Sequence, residues 1–193
     1  MSRVNGTVSV LAVAGSLRRG SHNRAVLEAA AQIAPAGVEV TIFDRLEAVP
    51  VFNEDLENAP DDQSGVLKLR HAMAAADGLL ISTPEYNQSV PGVLKNMIDW
   101  LSRGAPDEGL RGKPVAVAGA TTGPWGTRIS QTVLRQMLHS TQALVLPAPT
   151  LYIAQVGLLL DDDGRLVDQE TLDRLGDLMS SFAAWIRLVR SGR

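Results

Sequence analysis

Five runs rich in valine, isoleucine, leucine and alanine punctuate the chain: Val8 to Ala14, ending at Gly15, then Val38 to Phe43, Gly78 to Ser82, Val115 to Ala120 and Ala143 to Leu146. Most are apolar on consecutive positions, which marks central parallel strands covered on both faces. Between and after them, apolar residues recur at helical spacing. Asn23 to Ile33 carries Ala25, Ala29, Ala30 and Ile33, and Ser64 to Ala76 carries Val66, Leu69, Met73 and Ala76. Pro91 to Leu101 opens on a proline, which suits a first helical turn. Thr127 to Leu138 carries Ile129, Val133, Met137 and Leu138. Leu172 to Val189 carries Leu175, Leu178, Met179, Phe182, Trp185, Ile186 and Val189, a stripe expected to be core. Strand and helix therefore alternate five times. That order predicts an α/β fold with a parallel sheet, right-handed crossovers and helices on both faces.

The pattern contains no linker or repeat. The polar stretch from Asp44 to Gln63 is expected to cover part of the surface or the mouth of a site. Asp161-Asp162-Asp163-Gly164 reads as a turn tip, because a calcium loop needs further spaced oxygen ligands and a closing glutamate. In parallel sheets of this kind, ligands bind at the carboxyl ends of the strands, near the switch in strand order. The loops after strands one, three and four are therefore the places to search.

Composition narrows the choice of function. The 193 residues suit a single domain spanning 1–193. With no cysteine, disulfides, thiolate nucleophiles and zinc-thiolate sites are excluded, which fits a reducing cytoplasm. A net charge of −3 without a basic run gives no footprint for nucleic acid. Met1 to Val10 shows no signal-peptide pattern, and no apolar run is long enough to span a membrane. His22, His71 and His139 have no metal-ligand spacing.

The first loop reads Gly15-Ser16-Leu17-Arg18-Arg19-Gly20-Ser21-His22-Asn23-Arg24. It leaves a strand and enters a helix, whose N-terminal N–H groups and dipole favour phosphate. Ser16, Ser21 and Asn23 add hydrogen-bonding groups, and Arg18 adds a fork matched to phosphate oxygens. The Gly15 to Gly20 spacing matches the start of a P-loop. The lysine is missing, however, and no magnesium-binding aspartate ends the third strand. Leu17 replaces the second glycine of a dinucleotide fingerprint. Two readings remain: a loop for one phosphate without metal, or a plain polar turn.

The second loop, Thr83-Pro84-Glu85-Tyr86-Asn87-Gln88-Ser89-Val90-Pro91-Gly92-Val93-Leu94-Lys95-Asn96, is stiffened by two prolines. Such a loop suits the polar edge of a flat heterocycle, with Tyr86 adding an aromatic face. The alternative is a structural connection with an incidental tyrosine. In the third loop, Thr121-Thr122-Gly123-Pro124-Trp125-Gly126-Thr127-Arg128, Gly123 and Gly126 let the backbone approach a ring closely.

Taken together, the first two loops resemble the NAD(P)H-dependent FMN reductase family, which includes quinone, azo-dye and chromate reductases. The matching residues are Gly15-Ser16-Leu17-Arg18 with Gly20-Ser21 and Asn23. They continue in Thr83-Pro84-Glu85-Tyr86-Asn87, Pro91-Gly92, Leu94-Lys95-Asn96 and Asp99-Trp100-Leu101. The resemblance covers most of the chain. It implies a flavodoxin-like, doubly wound five-stranded sheet of order 2-1-3-4-5, noncovalent FMN, NAD(P)H as donor, and a homodimer or homotetramer. It places Ser16, Arg18, Ser21 and Asn23 at the FMN phosphate. Pro84, Glu85, Tyr86 and Asn87 would line the isoalloxazine and ribityl chain, largely through backbone groups, with Thr121, Thr122 and Gly123 flanking the flavin. His22 stands where the family often has an aromatic, and is expected to face solvent. Trp125 is expected to stack near the ring, to meet another subunit, or to be a partly buried packing residue.

The helix beginning at Pro91 carries an apolar set (Val93, Leu94, Met97, Ile98, Trp100, Leu101) wider than one sheet-facing stripe. Its second face is expected either to build a homodimer or to be buried within the monomer. No catalytic acid or base is assigned, because flavin chemistry needs none from the protein. The preferred function is an oxidoreductase passing electrons from NAD(P)H through flavin to a small acceptor. The alternatives are a flavodoxin-type electron carrier and a non-catalytic flavin-binding module.

Overall fold

The computed structural model describes residues 6–57, 64–103 and 109–192, with residue 64 described by its backbone alone. Residues 1–5 of the N-terminal segment and 58–63 of the polar stretch lie outside these. Strand β1 (Val8–Ala14) pairs in parallel with β2 (Val38–Ile42) on one side and β3 (Gly78–Ser82) on the other. β3 continues to β4 (Pro114–Ala120), and every residue of β3 and β4 is buried. β2 is the edge strand, and its burial alternates accordingly. The order β2-β1-β3-β4-β5 is the flavodoxin-like arrangement, in which winding reverses between β1 and β3.

Alternate residues of each strand face opposite layers, so the core has two halves. Val8, Val10, Ala12, Leu80, Ala116 and Ala118 meet α1 (His22–Gln32) and α5 (Gln169–Ser191). Leu11, Val13, Leu79, Ile81, Val115 and Val117 meet α2 (Ser64–Ala75), α3 (Gly92–Leu101) and α4 (Arg128–Ser140). The C-terminal stripe is core as expected, with Leu175, Leu178, Met179, Phe182 and Ile186 all buried. α5 starts three residues before the expected Leu172, because the Asp168 carboxylate accepts the Thr171 N–H at 2.9 Å and caps the helix.

The fifth strand position differs from the sequence expectation. It is shared by β5 (Leu144–Val145), on the start of β4, and β6 (Leu151–Ile153), on its end, giving six strands. Pro147 and Pro149 supply no N–H donor to a ladder, so the chain leaves the sheet between the two segments. Among the described residues, no helix is long and apolar enough to cross a membrane. The Asp161 carboxylate is used in its own turn, accepting the N–H groups of Asp163 and Arg165.

The wide apolar face of α3 is buried inside the monomer. Trp100 has no exposed surface, and its indole N–H donates to the Pro50 carbonyl at 2.8 Å. Phe52 packs edge-on against it at 5.0 Å between ring centroids. Asn96 joins the same contact, its amide donating to the Val49 and Pro50 carbonyls while its oxygen accepts the Phe52 N–H. The polar stretch after β2 is therefore the cover of α3. A homodimer built on Trp100 is ruled out by this packing.

Candidate functional site

The carboxyl ends of β1, β3 and β4 converge on a cleft of about 360 Å³. Its walls include Ser16, Arg18, His22 and Asn23 from the first loop, Pro84, Glu85 and Tyr86 from the second, and Thr121 and Thr122 from the third. The structure thus brings together nine of the residues singled out from sequence, His22 included. Asn87 and Gly123 stand one residue beyond these walls in sequence, and Ser21, next to His22, lines an adjacent hollow. A larger hollow of about 540 Å³ sits at the other end of the sheet, beside the C-terminal ends of α3 and α4. It holds none of the candidate site residues and only Lys95 of the three loops, so chemistry favours the smaller cleft over the larger volume.

The first loop turns into α1 through Ser21, whose hydroxyl accepts the Arg24 N–H at 3.2 Å. Its oxygen caps the helix, and its O–H is left to donate. The backbone amides of His22 and Asn23, in the first turn, have no intrahelical acceptor. Asn23 is buried and knits three strand ends. Its Oδ1 accepts the Ser82 hydroxyl at 2.8 Å and the Ala120 N–H at 3.0 Å, and its amide donates to the Ala120 carbonyl at 2.9 Å. One side-chain N–H of Asn23 remains. Arg18 is exposed and pairs with no carboxylate among the described residues, whereas Arg24 is held by Glu28 and Asp44.

His22 departs from the expectation of a solvent-facing side chain: it is half-buried and lines the cleft. Burial, and then the neighbouring Arg18 charge, lower its pKa from the ordinary value. Both causes favour the neutral imidazole over the charged one.

The second loop is held from both sides. Gly15 lies so close that a Cβ there would meet Pro84 Cδ at 2.9 Å and Leu94 Cδ1 at 2.6 Å. Tyr86 and Ser89 exchange both backbone hydrogen bonds, and Asn87 (φ 49°) and Gln88 (φ 59°) occupy the left-handed region between them. This is the tight hairpin that requires positive φ at both central residues. Tyr86 is 52% exposed, with its hydroxyl 3.4 Å from Ser16 Oγ. In the third loop, Thr121 Oγ1 accepts the Gly123 N–H at 3.2 Å. Trp125 is 76% exposed, so it is not a packing residue within the monomer.

Buried polar side chains gather beneath this cleft. Of eight in the described chain, six (Asn23, Ser82, Thr83, Thr127, Ser130 and Gln131) link the strand ends, the loops and the start of α4, and Ser21 caps α1. Sequence reading found Ser21 and Asn23 but not these contacts within the chain. It missed Ser82, Ser130 and Gln131, whose partners stand tens of residues away.

Residues 8–157 match the family model for NADPH-dependent FMN reductase. This chain belongs to the NADPH-dependent FMN reductase family. Within it, an NAD(P)H-dependent FMN reductase of Pseudomonas aeruginosa is 38% identical over 183 residues, covering 95% of this chain and 97% of the relative. A quinone reductase of Escherichia coli K12 is also 38% identical, over 184 residues with the same coverage. Among solved structures, the flavoenzyme NAD(P)H:(acceptor) oxidoreductase FerB of Paracoccus denitrificans superposes with a TM-score of 0.83. It is 31% identical, and the match covers 94% of this chain and 98% of that one. The reductase fold therefore runs almost the full length of the chain.

Proposed function

We propose that this reductase binds FMN noncovalently, accepts hydride equivalents from NAD(P)H and delivers electrons to a small acceptor of the quinone class. The observation that carries the proposal is one cleft joining a single-phosphate helix terminus to a rigid aromatic loop. Arg18, Ser16 and the backbone amides of the α1 start hold the phosphate, with Ser21 and Asn23 fixing that turn from behind. The Pro84–Asn87 segment and the Thr121–Gly123 turn flank the ring. Bound FMN supplies the hydride chemistry, and the protein supplies orientation and electrostatics.

The proposal includes a homodimer or homotetramer and a cytoplasmic location. Exposed Trp125 and Ile129, beside the cleft, replace Trp100 as the apolar surface to be covered. Light scattering at micromolar concentration is expected to give at least a dimer, and a monomer overturns that part. A pure electron carrier is disfavoured by the exposed second loop, which leaves room for a small molecule over the ring.

Two substitutions test the phosphate assignment. Arg18→Ala is expected to cost about 1.5–3 kcal/mol of FMN binding, the worth of a charge-assisted contact. That is roughly a ten- to hundredfold rise in Kd. The contact is the same in ground and transition states, so flavin reduction at saturating FMN should hardly change. Arg19→Ala is expected to leave Kd near the wild-type value. Fluorescence-quenching titration and stopped-flow reduction read both quantities. Equal losses from the two arginines would refute the assignment.

A further inference from the structure

Helix α4 has no cap of its own. Thr127, at its N-cap position, is left-handed (φ 45°) and turns its hydroxyl inward, where Oγ1 accepts Gln131 Nε2 at 3.1 Å. The open amides of the first turn are taken instead by a residue more than forty positions earlier. Glu85 Oε2 accepts the Ile129 N–H at 2.9 Å and the Ser130 N–H at 3.0 Å. A carboxylate there satisfies two orphan donors and meets the positive end of the helix dipole. The neighbouring residues are tied to the same point. Ser130 Oγ donates to the Pro84 carbonyl at 2.9 Å and lies 2.9 Å from Thr83 Oγ1. Three consecutive residues of the second loop are thus fastened to one helical turn, and the Tyr86–Ser89 hairpin follows at once.

We propose that Glu85 is a positioning residue: by capping α4 it fixes the Pro84–Tyr86 backbone and the Tyr86 ring for the flavin, without its carboxylate touching the flavin. This rests on the cleft being the flavin site. Glu85 Oε2 is committed to α4, and on this reading what the segment offers a ring is its backbone and Tyr86. Because the clamp acts at the ring end, its loss should affect flavins with and without phosphate alike. A residue serving only fold stability would change unfolding and leave the spectrum of bound flavin as it is.

The test is titration of the flavin-free full chain with FMN and with riboflavin, together with visible circular dichroism of the bound flavin. Glu85→Ala is expected to raise both dissociation constants by about tenfold, the equivalent of 1.4 kcal/mol, and to alter the dichroism. Glu85→Gln keeps an acceptor oxygen in place and is expected to stay within about threefold of wild type. Ser130→Ala removes the hydroxyl tie and keeps the amide; it is expected to weaken both flavins by a few fold and serves if Glu85→Ala does not fold. Wild-type affinity in Glu85→Ala, or in Ser130→Ala when Glu85→Ala cannot be made, overturns the proposal. So does a loss confined to FMN. Glu85→Gln falling as far as Glu85→Ala with wild-type unfolding also overturns it, since the charge would then act on the flavin directly. If wild type binds neither flavin, the reading of the cleft fails instead, and the proposal with it.

Discussion

Replacing Trp100 with alanine is expected to lower the unfolding free energy by about 3–5 kcal/mol, the range for emptying a buried aromatic site. The indole has no exposed surface and fills the space between α3 and the segment carrying Pro50 and Phe52. Its removal also takes one of two donors from the Pro50 carbonyl, which receives the indole N–H at 2.8 Å and the Asn96 amide at 2.9 Å. Arg70 stands 5.8 Å from the ring centroid and loses its aromatic partner. Trp100→Phe keeps most of the volume and should cost markedly less. Urea unfolding followed by far-ultraviolet circular dichroism measures both. A loss below about 1 kcal/mol, typical of exposed positions, accompanied by dissociation of the oligomer, would return Trp100 to a subunit face.

Asn23→Ala is expected to be nearly as damaging, and at the site itself. The side chain satisfies the N–H and the carbonyl of Ala120 and accepts the Ser82 hydroxyl. Each buried group left unsatisfied costs about 1–3 kcal/mol, and water entering from the cleft recovers part of that. The expected loss of stability is therefore roughly 2–4 kcal/mol. FMN affinity should fall as well, because Asn23 is the common tie between the loops after β1, β3 and β4. Asn23→Asp keeps the acceptor for Ser82 and the Ala120 N–H but faces the Ala120 carbonyl with an oxygen, so it should not rescue. Denaturant unfolding and FMN titration of the two variants check this. Wild-type stability in Asn23→Ala would show that the three strand ends hold together without it.

The fold was legible because its information is local. Runs such as Gly78–Ser82 and Val115–Ala120 are apolar on both faces only when helices cover both. The fifth strand was read only to Leu146, since the prolines that interrupt it give no hint that Leu151–Ile153 rejoins the same neighbour. The width of the α3 stripe was visible, but not what covers it. That depends on Pro50 and Phe52, fifty residues away, in a stretch whose polarity suggested surface. The site followed the same division. Loop chemistry and the carboxyl-end rule located the cleft, and the family resemblance named its walls. The long-range side-chain commitments were not readable: Glu85 to the start of α4 and Asn23 to Ala120 are tertiary facts. His22 was misread because one residue's exposure in a β-α turn is set by the loops folded over it.

The central claim is that this cleft holds FMN reducible by a nicotinamide nucleotide. The most direct measurement is the visible absorbance of purified protein under anaerobic conditions, before and after NADPH, with chromatography of the cofactor released on denaturation. The account predicts a flavin spectrum, bleaching by NADPH with no partner protein, return of colour when a quinone is added, and release of FMN. A colourless protein that takes up no added FMN, a release of FAD, or a bound flavin that NADPH leaves oxidised would contradict it.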